Sequence, residues 1–420
     1  MYQLPIDLLK EGESIVLYGA GNVGIDFHEQ IIYSDYCKIN HWIDAKGENE
    51  DVFRPDFDAN IWSEQNKILI AVADRNKALE IEQALCLSYG VDRSRFLWKK
   101  YDIDNTLSDS LHQCIINKYY NNIEISDLTH RDVIPVTFRG MYPEQVHSFL
   151  RVFSEYRITL DKNARTVVYG NFFSLNSEGL FLDKNRVNIA YWPGECHFPQ
   201  LEYNYSFSLR NVGEKNNCFM MGAYDDFELL ESRCIDRFND LYNRRFCNFV
   251  YYNYDQGNGA KLRQDFCSEL MKYKHVDCPG RVMNNMSNKE VGNRYGDWKR
   301  KKIEYLKKYK FTIAFENERV RGNIDEKILQ PLVAGSIPIY YGAEDIGDYI
   351  NKDCFIDTRD FDDDWNAVIE RIKEIDNDIE KYLHMVTASP IKCKHFYKKR
   401  RLEVNDFIRN MVERNCLLSN

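Results

Sequence analysis

The chain has 420 residues, of which 44% are apolar, 29% charged and 14% aromatic. That is the balance of a folded chain of two or three domains. The formal net charge of −9 speaks against a general nucleic-acid binder, which carries a basic stripe on a basic domain. An apolar run of about 18 residues, the mark of a membrane-spanning helix, is missing.

The opening MYQLPIDLLKEGES lacks the basic and apolar regions of a signal peptide. The twelve cysteines form neither CxxC nor zinc-finger spacings, so they read as free, mostly buried thiols in a reducing compartment. The expectation is a cytoplasmic, bacterial-type protein.

The first hundred residues alternate strand and helix. SIVLY (14–18) is a short buried strand, followed by GAGNVG and a helix through IDFHEQII. A second strand, KINHWIDAK, ends in Asp44; a third, NKILIAVAD (66–74), precedes the helix RNKALEIEQALCLSYG. This order predicts parallel βαβ units. Residues 101–129 read as a polar connector with a helical turn or more.

A second α/β region begins near 131 with VIPVTF (133–138), the helix PEQVHSFLRVFSEY, the strand RTVVYGNF (165–172) and the strand RVNIAYWPGE (186–195). RRFCNFVYYN (244–253) opens a third. It continues as helix AKLRQDFCSELMKY, strand HVDCPGRV, helix DWKRKKIEYLKKY and strand KFTIAFEN. Helix DEKILQPLVAG, strands SIPIYYG and DCFIDT, and one helix DDWNAVIERIKEIDNDIEKYL follow. The pattern is that of a doubly wound parallel sheet, whose ligands sit beyond the carboxyl ends of the strands. A basic, then amphipathic helix closes the chain.

Gly19, Gly21 and Gly24 form GxGxxG between a strand and a helix, and Asp44 ends the next strand. Such glycines admit a pyrophosphate to a helix N-terminus, and the acid takes ribose hydroxyls. They are candidate dinucleotide-binding residues for NAD(P); the alternative is a Rossmann block kept for packing or partner contact.

Asp325 is placed to cap a helix, with Glu326 in its favoured first turn. Lys327 in that turn opposes the helix dipole, which a phosphate bound there would explain; the alternative is a solvated lysine. Arg263, early in a helix after the flexible Gly257–Gly259 loop, can fork two phosphate oxygens or simply face solvent. Glu195 follows the Pro193-Gly194 turn between Trp192 and Phe198. A dry aromatic setting would raise its carboxyl toward general-base range; otherwise it is an ordinary loop glutamate. Lys299–Lys302, Lys307, Lys308 and Lys310 read as a solvated basic helix. KCKHFYKKRR (392–401) reads as a solvated helix end or an anionic-membrane contact.

FENERVRGNIDEKILQPLVAGSIPIYYGA (315–343) resembles the family 10 glycosyltransferases, the α-1,3/4-fucosyltransferases. Their signature runs Phe-Glu-Asn, Gly-Tyr-x-Thr-Glu-Lys, a helix, and Ile-Pro-Ile-Tyr-Trp-Gly. FCNFVYYN, KLRQDFCSELMKY, HVDCPGRVMNN, YLKKYKFTIAFEN and DCFIDTRDF stand in the family's order. The resemblance covers roughly 131–390.

It implies an α/β chain: a GT-B type pair of Rossmann-like domains, preceded here by a small N-terminal Rossmann-like domain. The expected divisions are 1–100 for that block, 101–130 a linker, 131–243 acceptor-side, 244–375 donor-side and 376–420 a helical end. The resemblance also implies inverting transfer of fucose from GDP-fucose to a glycan hydroxyl, of N-acetyllactosamine type and α-1,3 linkage, in surface polysaccharide or protein glycosylation. No metal or cofactor would be required. By position, Arg263 and Lys327 would neutralise the diphosphate, Glu326 bind the ribose, Asn317 line the donor pocket and Glu195 act as general base. The family's Tyr after the motif glycine is Asn323 here, and its Thr before Glu-Lys is Asp325. These changes bear on the sugar, so another GDP-sugar is an alternative, beside an oxidoreductase built on GAGNVG.

Overall fold

Strand β1 (Ser14–Tyr18) is buried from its second residue onward and leads straight into α1 (Asn22–Ser34). The turn between them needs glycine at two positions. Gly19 has φ +117°, and a Cβ on Gly24 would stand 1.9 Å from the Gly19 carbonyl oxygen. The helix therefore starts in contact with the strand end. Strands β2 (Lys38–Ile43), β3 (Lys67–Ile70) and β4 (Phe96–Leu97) complete a parallel sheet in the order β2-β1-β3-β4. Its core includes Val16, Ile43, Trp62, Ile68 and Leu85. The third strand stops four residues short of the expected Asp74, because Asp74 instead caps α2 (Arg75–Tyr89) by accepting from the Lys77 N–H.

The structure, a computed structural model, describes residues 1–47, 52–104, 106–124, 127, 131–170, 182–192, 203–209, 215–220, 224–233, 241–254, 257–287, 291, 298–392 and 396–418. The chain divides into two compact units, Met1–Tyr191 with Ile408–Asn420, and Trp192–Phe407.

In the first unit the expected connector carries a full helix, α3 (Asp109–Asn121), capped by Ser108. Buried Leu111, His112, Ile115 and Ile116 give it an apolar face, and it packs on α1 and on α4 (Pro143–Val152). Strands β5 (Val133–Arg139), β6 (Arg157–Leu160), β7 (Thr166–Gly170) and β8 (Val187–Trp192) pair in parallel, β5 with β6 and β7, and β7 with β8.

The second unit holds the parallel pair β9 (Tyr205–Ser208) and β10 (Asn217–Phe219), then α5 (Tyr224–Glu231). Its main sheet comprises β11 (Arg245–Asn248), β12 (Val276–Asp277), β13 (Tyr309–Phe315), β14 (Ile337–Tyr341) and β15 (Ile356–Asp357). The order is β12-β11-β13-β14-β15, and every pairing is parallel. Both faces are buried, as such sheets require. Phe311, Ile313 and Phe315 pack into one core and Ala314 and Tyr340 into the other, following the two-residue period of a strand. The flanking helices are α6 (Gly257–Met271), α7 (Trp298–Leu306), α8 (Glu326–Ala334), α9 (Trp365–Asn377) and α10 (Ile379–Thr387); α11 (Phe396–Asn415) follows, its residues from Ile408 onward belonging to the first unit.

Two readings change here. The single helix expected from DDWNAVIERIKEIDNDIEKYL is two, because Asp378 accepts from the Glu380 and Lys381 N–H groups and starts a new helix. The expected basic helix ends at Leu306, and Lys310 lies in β13 with its ammonium 2.9 Å from Asp376. Among the described residues no helix is long and apolar enough to cross a membrane.

Candidate functional site

The site gathers at the carboxyl end of β13, where the chain leaves the sheet as Glu316-Asn317. Glu316 is fully buried, and its N–H donates to the Tyr341 carbonyl at 2.7 Å. Two helices start against this strand end. α6 approaches through glycines: a Cβ on Gly259 would stand 1.9 Å from the Glu316 carbonyl oxygen, and Gly257 has φ +73°. The Gly259 N–H donates to the Asn317 carbonyl at 2.8 Å. This contact sets the depth of Arg263, one turn further along α6.

Arg263 is 1% exposed. One outer nitrogen donates to Asn317 Oδ1 at 2.9 Å and the other to the Asn253 carbonyl at 2.7 Å. Its guanidinium lies 4.1 Å over the Tyr251 ring, a cation–π contact. The Tyr251 hydroxyl in turn accepts from the Phe315 N–H at 2.8 Å. Arg263 thus holds Asn317 from beneath and adds positive potential there.

The second helix, α8, starts at Asp325. Its Oδ1 accepts from the Lys327 N–H at 2.9 Å, the expected cap. The preceding loop is held by Asn323, 4% exposed, whose side chain donates to the Glu318 carbonyl, and by the Gly322 N–H on Asp345. Lys327 then meets three carboxylates: its Nζ is 2.5 Å from Asp325 Oδ2, 3.1 Å from Glu316 Oε2 and 3.6 Å from Glu326 Oε1. This explains how a lysine sits in a first helical turn that the dipole disfavours.

The electrostatics follow. Burial disfavours the Lys327 charge, but Asp325, Glu316 and Glu326 outweigh it and hold its pKa well above the usual value. Burial pushes the Glu316 carboxyl well up, and the Asp325 charge adds to this. Burial also acts upward on Glu326, but Lys327 and Lys302 reverse it and hold that carboxyl at about 2. Glu326 is therefore a firm anion with its side chain one-third exposed, suited to accept hydrogen bonds.

Glu316 and Asp226 are not assigned a role by the sequence, and Lys299 and Lys302 read there only as part of a solvated basic face. Asp226 of α5 is fully buried, and Lys299 of α7 lies 3.0 Å from its Oδ1. The run expected to face solvent thus reaches inward at Lys299. Nothing in YDDFELLE marks Asp226 apart from Asp225 or Glu228 beside it. Arg263, Asn317, Glu326 and Lys327 come together at one strand end; Glu195 lies outside the described residues.

In the first unit, Gly19 and Gly24 serve the contact of α1 with β1 and β3. Asp44 Oδ2 accepts from the Ala20 N–H at 2.9 Å and Oδ1 from the Lys46 N–H at 3.0 Å. Trp42 Nε1 donates to the Gly19 carbonyl. Gly21 has open space around it.

A parallel sheet with helix N-termini and cations at its carboxyl edge is the frame of an open α/β domain that binds its ligand at that edge. Solved structures share the fold. An alpha1,3-fucosyltransferase crystallised with GDP-fucose superposes with a TM-score of 0.54 at 20% identity, covering 72% of this chain and 97% of that one. The fold is thus α/β of the GT-B type.

Residues 246–402 match the family model Glycosyltransferase family 10 (fucosyltransferase) C-term. That segment contains the FENERVRGNIDEK stretch that carried the resemblance. The Alpha-(1,3)-fucosyltransferase FucT of Helicobacter pylori is 29% identical over 36% of this chain and 29% of its own length. The Alpha-(1,3)-fucosyltransferase B of Drosophila melanogaster is 32% identical over 29% of this chain and 28% of its own. The matches therefore span less than a third of these relatives.

Proposed function

We propose that the chain is an inverting glycosyltransferase that moves fucose from GDP-fucose to a glycan hydroxyl, in α-1,3 linkage to an N-acetyllactosamine-type acceptor. The observation that carries this is the convergence of Lys327, Glu326 and Asn317 at one strand end inside the family-matched segment. The α-1,3-fucosyltransferase relatives and the GDP-fucose complex of the fold neighbour support donor and linkage.

In this reading Lys327 takes the donor diphosphate, with the potential of Arg263 behind it, and stabilises the charge that grows as GDP leaves. Glu326, anionic at neutral pH, accepts from the ribose hydroxyls. Asn317, fixed by Arg263, lines the donor pocket. Glu195 removes the proton of the acceptor hydroxyl, whose oxygen attacks the anomeric carbon opposite the leaving GDP. The acceptor-side domain is 131–243 and the donor-side domain 244–375. The N-terminal block is structural, with Asp44 binding its own loop.

The test is GDP release from GDP-fucose in the presence of N-acetyllactosamine. Release with a fucosylated product supports the reading. Folded protein that releases GDP with GDP-mannose but not GDP-fucose would move the proposal to that sugar.

A further inference from the structure

The α8 N-terminus offers an anion two things, the free N–H groups of its first turn and the Lys327 ammonium. One residue engages both. Asp325 Oδ1 accepts from the Lys327 N–H at 2.9 Å, and its Oδ2 lies 2.5 Å from Lys327 Nζ. Asp325 and Lys327 are each 15% exposed in their side chains, so solvent screens the pair only in part. With Glu316 and Glu326 alongside, one ammonium faces three carboxylates. The latter two belong to the resembling family's motif; the carboxylate at 325 stands where that motif has Thr.

We infer that Asp325 is a built-in competitor for the nucleoside diphosphate: it occupies Lys327 in the empty site and must yield it when the ligand binds. The inference rests on the donor reading above and adds an affinity-setting residue to it. Asp325 weakens the hold on both donor and released nucleotide, and so speeds nucleotide release. The mechanism is charge against charge. A diphosphate reaching Lys327 displaces Oδ2 and then lies near it, and a like charge at such range outweighs a tenfold change in binding. Asparagine at 325 keeps a side-chain oxygen for the cap and removes the charge, so the cap and the competition can be separated.

The experiment is calorimetric titration of GDP and of guanosine into the full chain, as wild type, Asp325→Asn, Asp325→Thr and Asp325→Asn/Lys327→Ala. The expected result is GDP bound at least tenfold tighter by Asp325→Asn, about 1.4 kcal/mol. Guanosine should bind unchanged, and the gain should vanish in the double variant. Asp325→Thr, should Asp325→Asn fail to fold, carries the same expectation. GDP bound by wild type but no tighter by either folded variant would overturn the inference and leave the donor reading standing. GDP bound by neither wild type nor variant would overturn the donor reading itself.

Discussion

Gly259→Ala separates the tertiary account of the site from any local one. In an isolated helix this change adds up to about 1 kcal/mol of stability. Here the new Cβ would stand 1.9 Å from the Glu316 carbonyl oxygen and 2.9 Å from that of Asn317. Both are backbone atoms at a buried strand end, so neither can swing aside. Ordinary contact begins near 3.4 Å, so α6 must retreat by more than an ångström. Overpacking of that kind costs roughly 1–3 kcal/mol. The retreat also stretches the 2.9 Å bond from Arg263 to Asn317, and a charged hydrogen bond is worth about 1.5–3 kcal/mol. Net destabilisation of about 2–4 kcal/mol is expected, measured as a lowered urea midpoint for the second unit. GDP affinity should fall with it, because Asn317 loses its anchor. Gly347→Ala in the same unit, where a Cβ would come no nearer than 3.4 Å and only to the flexible Lys352 side chain, is the control and should not lower stability. A Gly259→Ala protein as stable as the control would refute the close approach of α6 to β13.

Three further outcomes concern the first unit. His112 is fully buried, and burial, then the Arg139 charge, depresses its pKa to about 3. The unfolded chain takes up a proton as pH falls through about 6.5 while the folded one does not, so stability drops on acidification. The loss between pH 6.5 and 5 is about 1.6 kcal/mol; His112→Leu should flatten it in denaturant titrations, and an unchanged slope would assign the loss elsewhere. Asp44→Ala removes the acceptor of the partly buried Ala20 N–H and should cost about 1–3 kcal/mol. NAD(H) should leave the melting temperature of the wild type unchanged; a rise abolished by Asp44→Ala would make GAGNVG a working dinucleotide site.

What was legible in the sequence followed from local chemistry. SIVLY-GAGNVG announced a strand, a turn and a helix because Gly19 and Gly24 permit a geometry other residues cannot adopt. Asp325 announced a helix start because few residues cap well. RITL (157–160) was missed because four residues carry too little alternation to stand out. The helix at Asp109–Asn121 was hidden by polar residues on its outer face. The break at Asp378 was hidden because aspartate is tolerated in a charged helix until its side chain captures the next N–H groups.

The site divides in the same way. That Lys327 and Arg263 bear on one centre came from the family pattern, not from spacing, since they lie on different helices. Asp325 and Glu326 were legible beside Lys327, but their ion pairs with it, and Glu316 as a third partner, were not. Glu316 reaches it across an eight-residue loop, and Asp325, legible as a cap and as a departure from the family's Thr, binds the ammonium with its second oxygen. Lys299 looked solvated because its partner Asp226 lies more than seventy residues away.

The central claim is the proposal that the chain transfers fucose from GDP-fucose. The most direct measurement is incubation of the purified full chain with GDP-fucose and N-acetyllactosamine, following GDP and product together. The account predicts equimolar GDP and fucosylated product, lost in Lys327→Ala while the protein stays folded. Folded wild type that binds GDP-fucose but yields neither GDP nor product with any glycan acceptor would contradict it.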